Sequence, residues 1–174
     1  MFKSWPEVES AWADPGPQGG NLQINEFLTF HLLRLASIAK GSVTREYLEP
    51  AGLSVPEWRL LATVVVFSPV PFADVTAMTT MDKGQVSRTL RSAQAKGYVA
   101  TELVPVDRRN ESGTTSNSRV VVTITPLGRE VYEKVMPVAQ RYQVGLIELM
   151  NPDERRVMLD VLQRLYRHLA SGTK

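Results

Sequence analysis

The sequence predicts a mainly α-helical protein with one small β-hairpin. Helix-start signatures recur along the chain, apolar residues between them fall at three- and four-residue intervals, and two strand-like runs lie side by side after residue 97. With 174 residues, 43% of them hydrophobic, the chain is long enough for one packed domain with helical extensions.

Residues 1–20 read as an N-terminal arm. Ser4-Trp5-Pro6-Glu7 has the spacing of a capping box and opens a short helix over 5–13, and Pro15-Gly16-Pro17-Gln18-Gly19-Gly20 breaks it. Trp5 and Trp12 are expected to dock this arm on the body, because a free tail rarely keeps large apolar rings exposed. Residues 21–48 read as one long helix. Leu22, Phe27, Phe30, Leu33, Leu35 and Ile38 are too many for one stripe, so it is expected to be covered on more than one side, as at a subunit interface. Gly41 weakens its middle, and Pro50 and Gly52 end it.

Ser54-Val55-Pro56-Glu57 repeats the cap signature and starts a second helix through Trp58, Leu60, Leu61 and Val64. Ser68-Pro69-Val70-Pro71 predicts a turn, and a short third helix over 72–79 follows with Val75 and Met78 inward. Asp82 caps a fourth helix, and Gly97 stands where a left-handed residue ends one. Val86, Leu90 and Ala93 make a narrow apolar stripe on it. The rest, Lys83, Gln85, Ser87, Arg88, Arg91, Ser92 and Lys96, is polar and expected to face outward. Strands over 98–104 and 119–125 then flank a polar tip. Thr125-Pro126 caps a fifth helix over 126–149 and Asn151-Pro152-Asp153-Glu154 a sixth over 152–170, striped by Val157, Met158, Val161, Leu162, Leu165 and Tyr166. The order predicts a winged helix-turn-helix at 50–125 flanked by long dimerisation helices at 21–49 and 126–174. The apolar surplus of the outer helices points to a homodimer.

Composition narrows the function classes. The chain has no cysteine, which removes disulfides and thiolate chemistry, and only two histidines, His31 and His168. No Ser/His/Asp order, Gly-rich phosphate loop or metal cluster is evident, so no catalytic residue, metal or cofactor is expected. No run approaches the roughly 20 apolar residues of a membrane span, and residues 1–14 lack a leader pattern, so a cytoplasmic protein is expected. The net charge is +2, but residues 82–119 hold seven bases and four acids, a local positive excess on a near-neutral remainder.

Several segments resemble the MarR (multiple antibiotic resistance regulator) family. Leu53-Ser54-Val55-Pro56-Glu57-Trp58-Arg59-Leu60-Leu61 is similar to its helix-two signature and Met81-Asp82-Lys83-Gly84-Gln85-Val86-Ser87-Arg88 to its recognition helix. Gly97-Tyr98-Val99, Asp107-Arg108-Arg109 and Ile124-Thr125-Pro126-Leu127-Gly128 are similar to its wing strand, wing tip and return. These pieces follow in the family's order over residues 22–170. The chain departs from the pattern between Asp107 and Thr125, about twice the family's separation, with 110–117 as an apparent insertion.

The resemblance implies a DNA-binding transcription regulator, a repressor released from a pseudo-palindromic operator by a small aromatic carboxylate or phenol. Gln85 and Arg88 suit adenine and guanine edges in the major groove of double-stranded DNA. Lys83, Ser87 and Arg91 suit phosphates or nearby bases. Asp107 would orient one wing arginine while the other enters the minor groove, Arg109 being the inserted residue and Arg108 a phosphate contact. For the effector, Arg34 or Arg59 suits a carboxylate and Trp58 a ring, with His31 nearby. Each has a plainer reading: Trp58 as core, His31 as an interface residue, the arginines as surface ion-pair partners. A winged helix used for protein contact, or a DNA binder without effector, are the alternatives.

Overall fold

The computed structural model describes residues 12–79, 81–106 and 117–171. Helix α1 (Leu28–Val43) leads through a π-helical turn (Thr44–Leu48) and a 3₁₀ turn (Glu49–Ala51) into α2 (Val55–Phe67). Strand β1 (Val70–Pro71), helices α3 (Phe72–Thr79) and α4 (Lys83–Ala95), and strands β2 (Val99–Val106) and β3 (Asn117–Ile124) complete the winged unit. Helices α5 (Pro126–Ile147) and α6 (Pro152–Ser171) follow. The fold class is the expected one, helical with a small antiparallel sheet.

The caps place the helices. Ser54 accepts the Glu57 N–H at 3.3 Å, Asp82 accepts the Gln85 N–H at 2.8 Å, and Thr125 accepts the Gly128 N–H at 3.0 Å. The side chain of Asn151 accepts from the N–H groups of Asp153 and Glu154. Gly97, at φ 74°, ends α4 in the left-handed region that a side chain would resist. Gly128 serves a different need: a Cβ there would overlap the Tyr98 carbonyl oxygen, so glycine lets α5 start against the foot of the wing.

Four details differ from the sequence reading. First, 21–48 is not one helix. Phe27 is extended (ψ 130°), Gln23 and Glu26 form their own turn through a 2.8 Å bond from the Gln23 N–H to the Glu26 carboxylate, and α1 begins at Leu28. At the other end the helix widens into the π turn before Pro50, which cannot donate to a helical ladder. Second, 68–71 is more than a turn: Val70 pairs with Val122 and Pro71 with Val121, making β1 the third strand in a sheet ordered β1-β3-β2. Third, Met78 is exposed, and Thr79, one helical turn after Val75, is buried instead. Fourth, the hairpin is longer than expected. Its ladder runs from Val99–Ile124 to Val106–Asn117, taking in residues first assigned to the tip.

Apolar residues form two cores. The first joins Leu60, Leu61 and Val64 of α2 to Val75, Val86, Leu90, Val99 and Val122, and holds the winged unit together. The second joins Tyr47, Leu48 and Leu53 to Val135 and Ala139 of α5, and seats that unit on the long helices. Burying each such aliphatic side chain contributes about 1.5–3 kcal/mol. Helix α6 contributes to neither core, and none of its residues is buried. No helix among the described residues is long and apolar enough to cross a membrane.

Candidate nucleic-acid interface and adjoining cleft

The candidate interface is built on α4. Its stripe of Val86, Leu90 and Ala93, joined by Thr89, is buried against the first core. This turns Lys83, Arg88 and Arg91 to solvent, with Gln85 and Ser87 partly covered beside them. Arg91 donates to the Ser87 carbonyl at 3.4 Å, which leans its guanidinium along the helix. On the wing side, Gln94 donates to the Thr101 hydroxyl at 2.8 Å, tying α4 to β2. A shallow groove of about 300 Å³ runs between them, lined by Phe72, Ser87, Arg91 and Val120 among others.

Ser92 and Lys96 are exposed with the rest of the polar face, but their polar groups reach back rather than outward. Both turn to α2 and meet Glu57, which is 5% exposed. Its Oε1 accepts from the Ser92 hydroxyl at 2.8 Å and from the Lys96 ammonium at 2.7 Å. Its Oε2 accepts the Ser54 N–H and hydroxyl, each at 2.8 Å. Lys96 also donates to the Gly52 carbonyl at 2.8 Å. Burial raises the Glu57 pKa, but the bonds from Lys96, Ser54 and Ser92 outweigh it and lower it from 4.5 to about 2. The carboxylate is therefore held ionised. The local spacing Ser54-x-x-Glu57 shows the cap, but no local pattern shows partners 35 and 39 residues downstream.

Trp58 stands at the junction of the two cores. It stacks on Tyr132 of α5 (5.4 Å between centroids, 18° between planes) and meets Tyr47 edge-on at 6.3 Å. Burial raises the Tyr47 pKa, against a lowering hydrogen bond with Gln143, so its phenol stays protonated at neutral pH. On one side of the indole lies a cleft of about 780 Å³ between α1, α2 and α4, lined by Lys40, Tyr47, Pro56, Trp58, Arg59 and Gln85 among others. On the other lies a more apolar hollow of about 570 Å³ against α5, with Met136, Gln140 and Gln143 in its walls.

Of the four candidate ligand residues, the structure brings Trp58 and Arg59 together in the first cleft. It places His31 and Arg34 elsewhere. His31 is buried against Trp12 and Phe30, where the Trp12 indole N–H donates to the Glu26 carbonyl at 2.6 Å, and Arg34 is half-buried on the same helix. Trp12 thus touches the body through His31 and Glu26 but stays 46% exposed, so the expected docking is only partial. Lys40, Tyr47 and the cleft-lining role of Gln85 escaped sequence reading, since they meet only through packing. Asp107, Arg108, Arg109, Trp5 and the expected helix over 5–13 lie outside the described residues.

A helix pinned on its apolar side, presenting bases outward and followed by a two-stranded wing, defines a winged helix-turn-helix protein. Residues 51–110 match the model of the MarR family of DNA-binding transcription regulators, and that match together with the shared fold supports a MarR-family winged-helix regulator. YdgJ of Bacillus subtilis, an uncharacterized HTH-type transcriptional regulator, is 25% identical over 118 residues, 68% of this chain and 66% of that protein. Among solved structures, BpsR of Bordetella bronchiseptica, whose DNA binding is regulated by 6-hydroxynicotinic acid, shares the fold with TM-score 0.66 and 24% identity, over 80% of this chain and 99% of that one. PcaV of Streptomyces coelicolor, solved with its natural ligand, shares it with TM-score 0.70 and 15% identity, over 84% and 96% respectively.

Proposed function

We propose that the protein represses transcription by binding a pseudo-palindromic operator as a homodimer, and that a small aromatic acid or phenol releases it. The observation that carries the DNA half is α4: its apolar side is fully used within the chain, while Lys83, Arg88 and Arg91 face outward. A major groove about 12 Å wide admits such a helix. Gln85 and Arg88 would read base edges, Lys83, Ser87 and Arg91 would hold backbone, and Arg108 and Arg109 would extend the contact along the wing. The dimer is supported by α6, whose apolar stripe the described residues leave largely exposed at Val157, Leu162 and Tyr166, with Val161 and Leu165 only half-covered.

The effector half is supported by the cleft beside Trp58. An aromatic face and the Arg59 and Lys40 cations line it together, which suits a ring bearing a carboxylate. Gln85 of the reading helix lines the same cleft, so its occupant would touch a DNA-reading residue directly. The regulated DNA binding of BpsR supports the same reading by likeness of fold.

The test is a titration onto the duplex upstream of the protein's own gene, read by fluorescence anisotropy at several salt concentrations. A steep fall of log K with log salt is expected, and a flat line would favour a winged helix used for protein contact. Arg88→Ala should weaken operator binding by about 1–3 kcal/mol, and equal affinity would remove Arg88 from the reading face. A panel of benzoates, hydroxynicotinates and phenols should contain a compound that releases the DNA. A panel that neither releases DNA nor raises Tm would leave a DNA binder without effector.

A further inference from the structure

We propose that Glu57 is a positioning residue for DNA reading, setting the angle at which α4 presents Gln85 and Arg88. The inference rests on the DNA-binding reading above. The apolar contact of α4 is a single seam, Val86, Leu90 and Ala93. Apolar contact is non-directional, so a narrow seam lets a helix roll and tilt at little cost. Hydrogen bonds are directional, and those of α4 to the rest of the winged unit gather at its C-terminal half. There Ser92 and Lys96, one turn apart, both donate to Glu57 Oε1, and Gln94 reaches Thr101.

The reading residues stand at the other end. At about 1.5 Å per residue Gln85 and Arg88 lie about 16 and 12 Å along the axis from Lys96, so a tilt of about 10° at the anchored end moves them by about 2–3 Å. That exceeds the range over which a bidentate side-chain-to-base contact survives. Glu57 is suited to prevent the tilt because its own position is fixed. It closes the first turn of α2 through Ser54, and Lys96 is further held by the Gly52 carbonyl just before that turn. One buried carboxylate therefore locks the start of α2 to the end of α4. The same turn of α2 presents Pro56, Trp58 and Arg59 to the cleft, so an occupant would bear on the element that holds the reading helix.

The test compares the full-length wild type with Glu57→Gln, with Lys96→Met, and with Val135→Ala. The last substitution loosens the second core without touching α4. Two quantities are read at a temperature well below every Tm. One is amide hydrogen exchange of α4 relative to α5. The other is the affinity for a duplex selected by the wild type from a random pool, divided by the affinity for unselected duplex. Glu57→Gln and Lys96→Met should each speed exchange along α4 about tenfold with α5 unchanged, and lower the affinity ratio about tenfold. Val135→Ala should do neither. If the Glu57 and Lys96 variants follow Val135→Ala in both readouts, the carboxylate is a stability element only and the proposal is overturned. If the wild type selects no duplex, the DNA-binding reading fails, and with it the claim about reading. Exchange then decides the remaining claim: α4 loosened by Glu57→Gln but not by Val135→Ala upholds the positioning, and equal rates overturn it.

Discussion

Helices α4 and α6 are both amphipathic, and they end in opposite situations. On α4, Val86, Leu90 and Ala93 are buried within the chain. On α6, Val157 is 63% exposed and Tyr166 69%, and no residue is buried. An apolar stripe in a sequence reveals that a face needs covering, not where the cover comes from. The narrow stripe of α4 is satisfied by α2, α3 and the wing, whereas the broad one of α6 is left largely exposed by the described residues. The stripe of α4 is therefore covered within the described residues, and that of α6 for the most part is not.

Leucine-to-alanine substitutions on the two sides sharpen the contrast. Leu60→Ala, at a fully buried site of the first core, should cost about 2–5 kcal/mol in urea unfolding, with the same loss at every protein concentration. A loss under about 1 kcal/mol would mean that the winged unit is less tightly packed than α6 makes it look by comparison. Gly128→Ala should come next, at about 1–3 kcal/mol, since the new methyl must push α5 away from the wing. A neutral outcome would show that α5 can shift freely at its start.

Glu57→Gln should cost about 1–3 kcal/mol at pH 7 by leaving Lys96 without its ionised partner. Its pH dependence has a definite sign. The carboxyl titrates near 4.5 in the unfolded chain and near 2 when folded, so its stabilisation is present above about 4.5 and lost as pH falls toward 2. Wild type should lose its margin over Glu57→Gln across that window, and parallel acid limbs would contradict the network. The smallest intrinsic effect is expected at Leu162→Ala on α6. In the dilute limit it should change stability by less than about 0.5 kcal/mol, while reducing the rise of Tm with protein concentration. A Tm independent of concentration in wild type would break the comparison, leaving α6 uncovered in solution as well.

Much of the fold was legible because its determinants are local. The caps at Ser54, Asp82, Thr125 and Asn151 place four helix starts within a residue or so, and alternation places the two long strands. The errors occurred where tertiary context overrode local pattern. Residues 21–27 carry apolar side chains and no breaker, yet Phe27 is extended and α1 starts late. Strand β1 is two residues long, too short for periodicity, and exists only because Val122 is there to pair with it. On α4 the buried stripe and the exposure of the polar side are legible in the sequence, but the bonds of Ser92 and Lys96 to Glu57 are not, because Glu57 cannot be seen from their neighbourhood. In the same way Trp58 and Arg59 share a cleft that His31 and Arg34 do not enter, since cleft walls come from packed helices rather than spacing along one.

The stack of Trp58 on Tyr132 also gives the protein an optical signature. An indole held nearly parallel to a phenol at 5.4 Å, with Tyr47 edge-on beside it, is an asymmetric chromophore cluster that should dominate the near-ultraviolet circular dichroism. Trp58 belongs to α2 and Tyr132 to α5, so the cluster spans the joint between the winged unit and the long helices. A rotation at that joint separates the rings and can be followed by light alone, without any label.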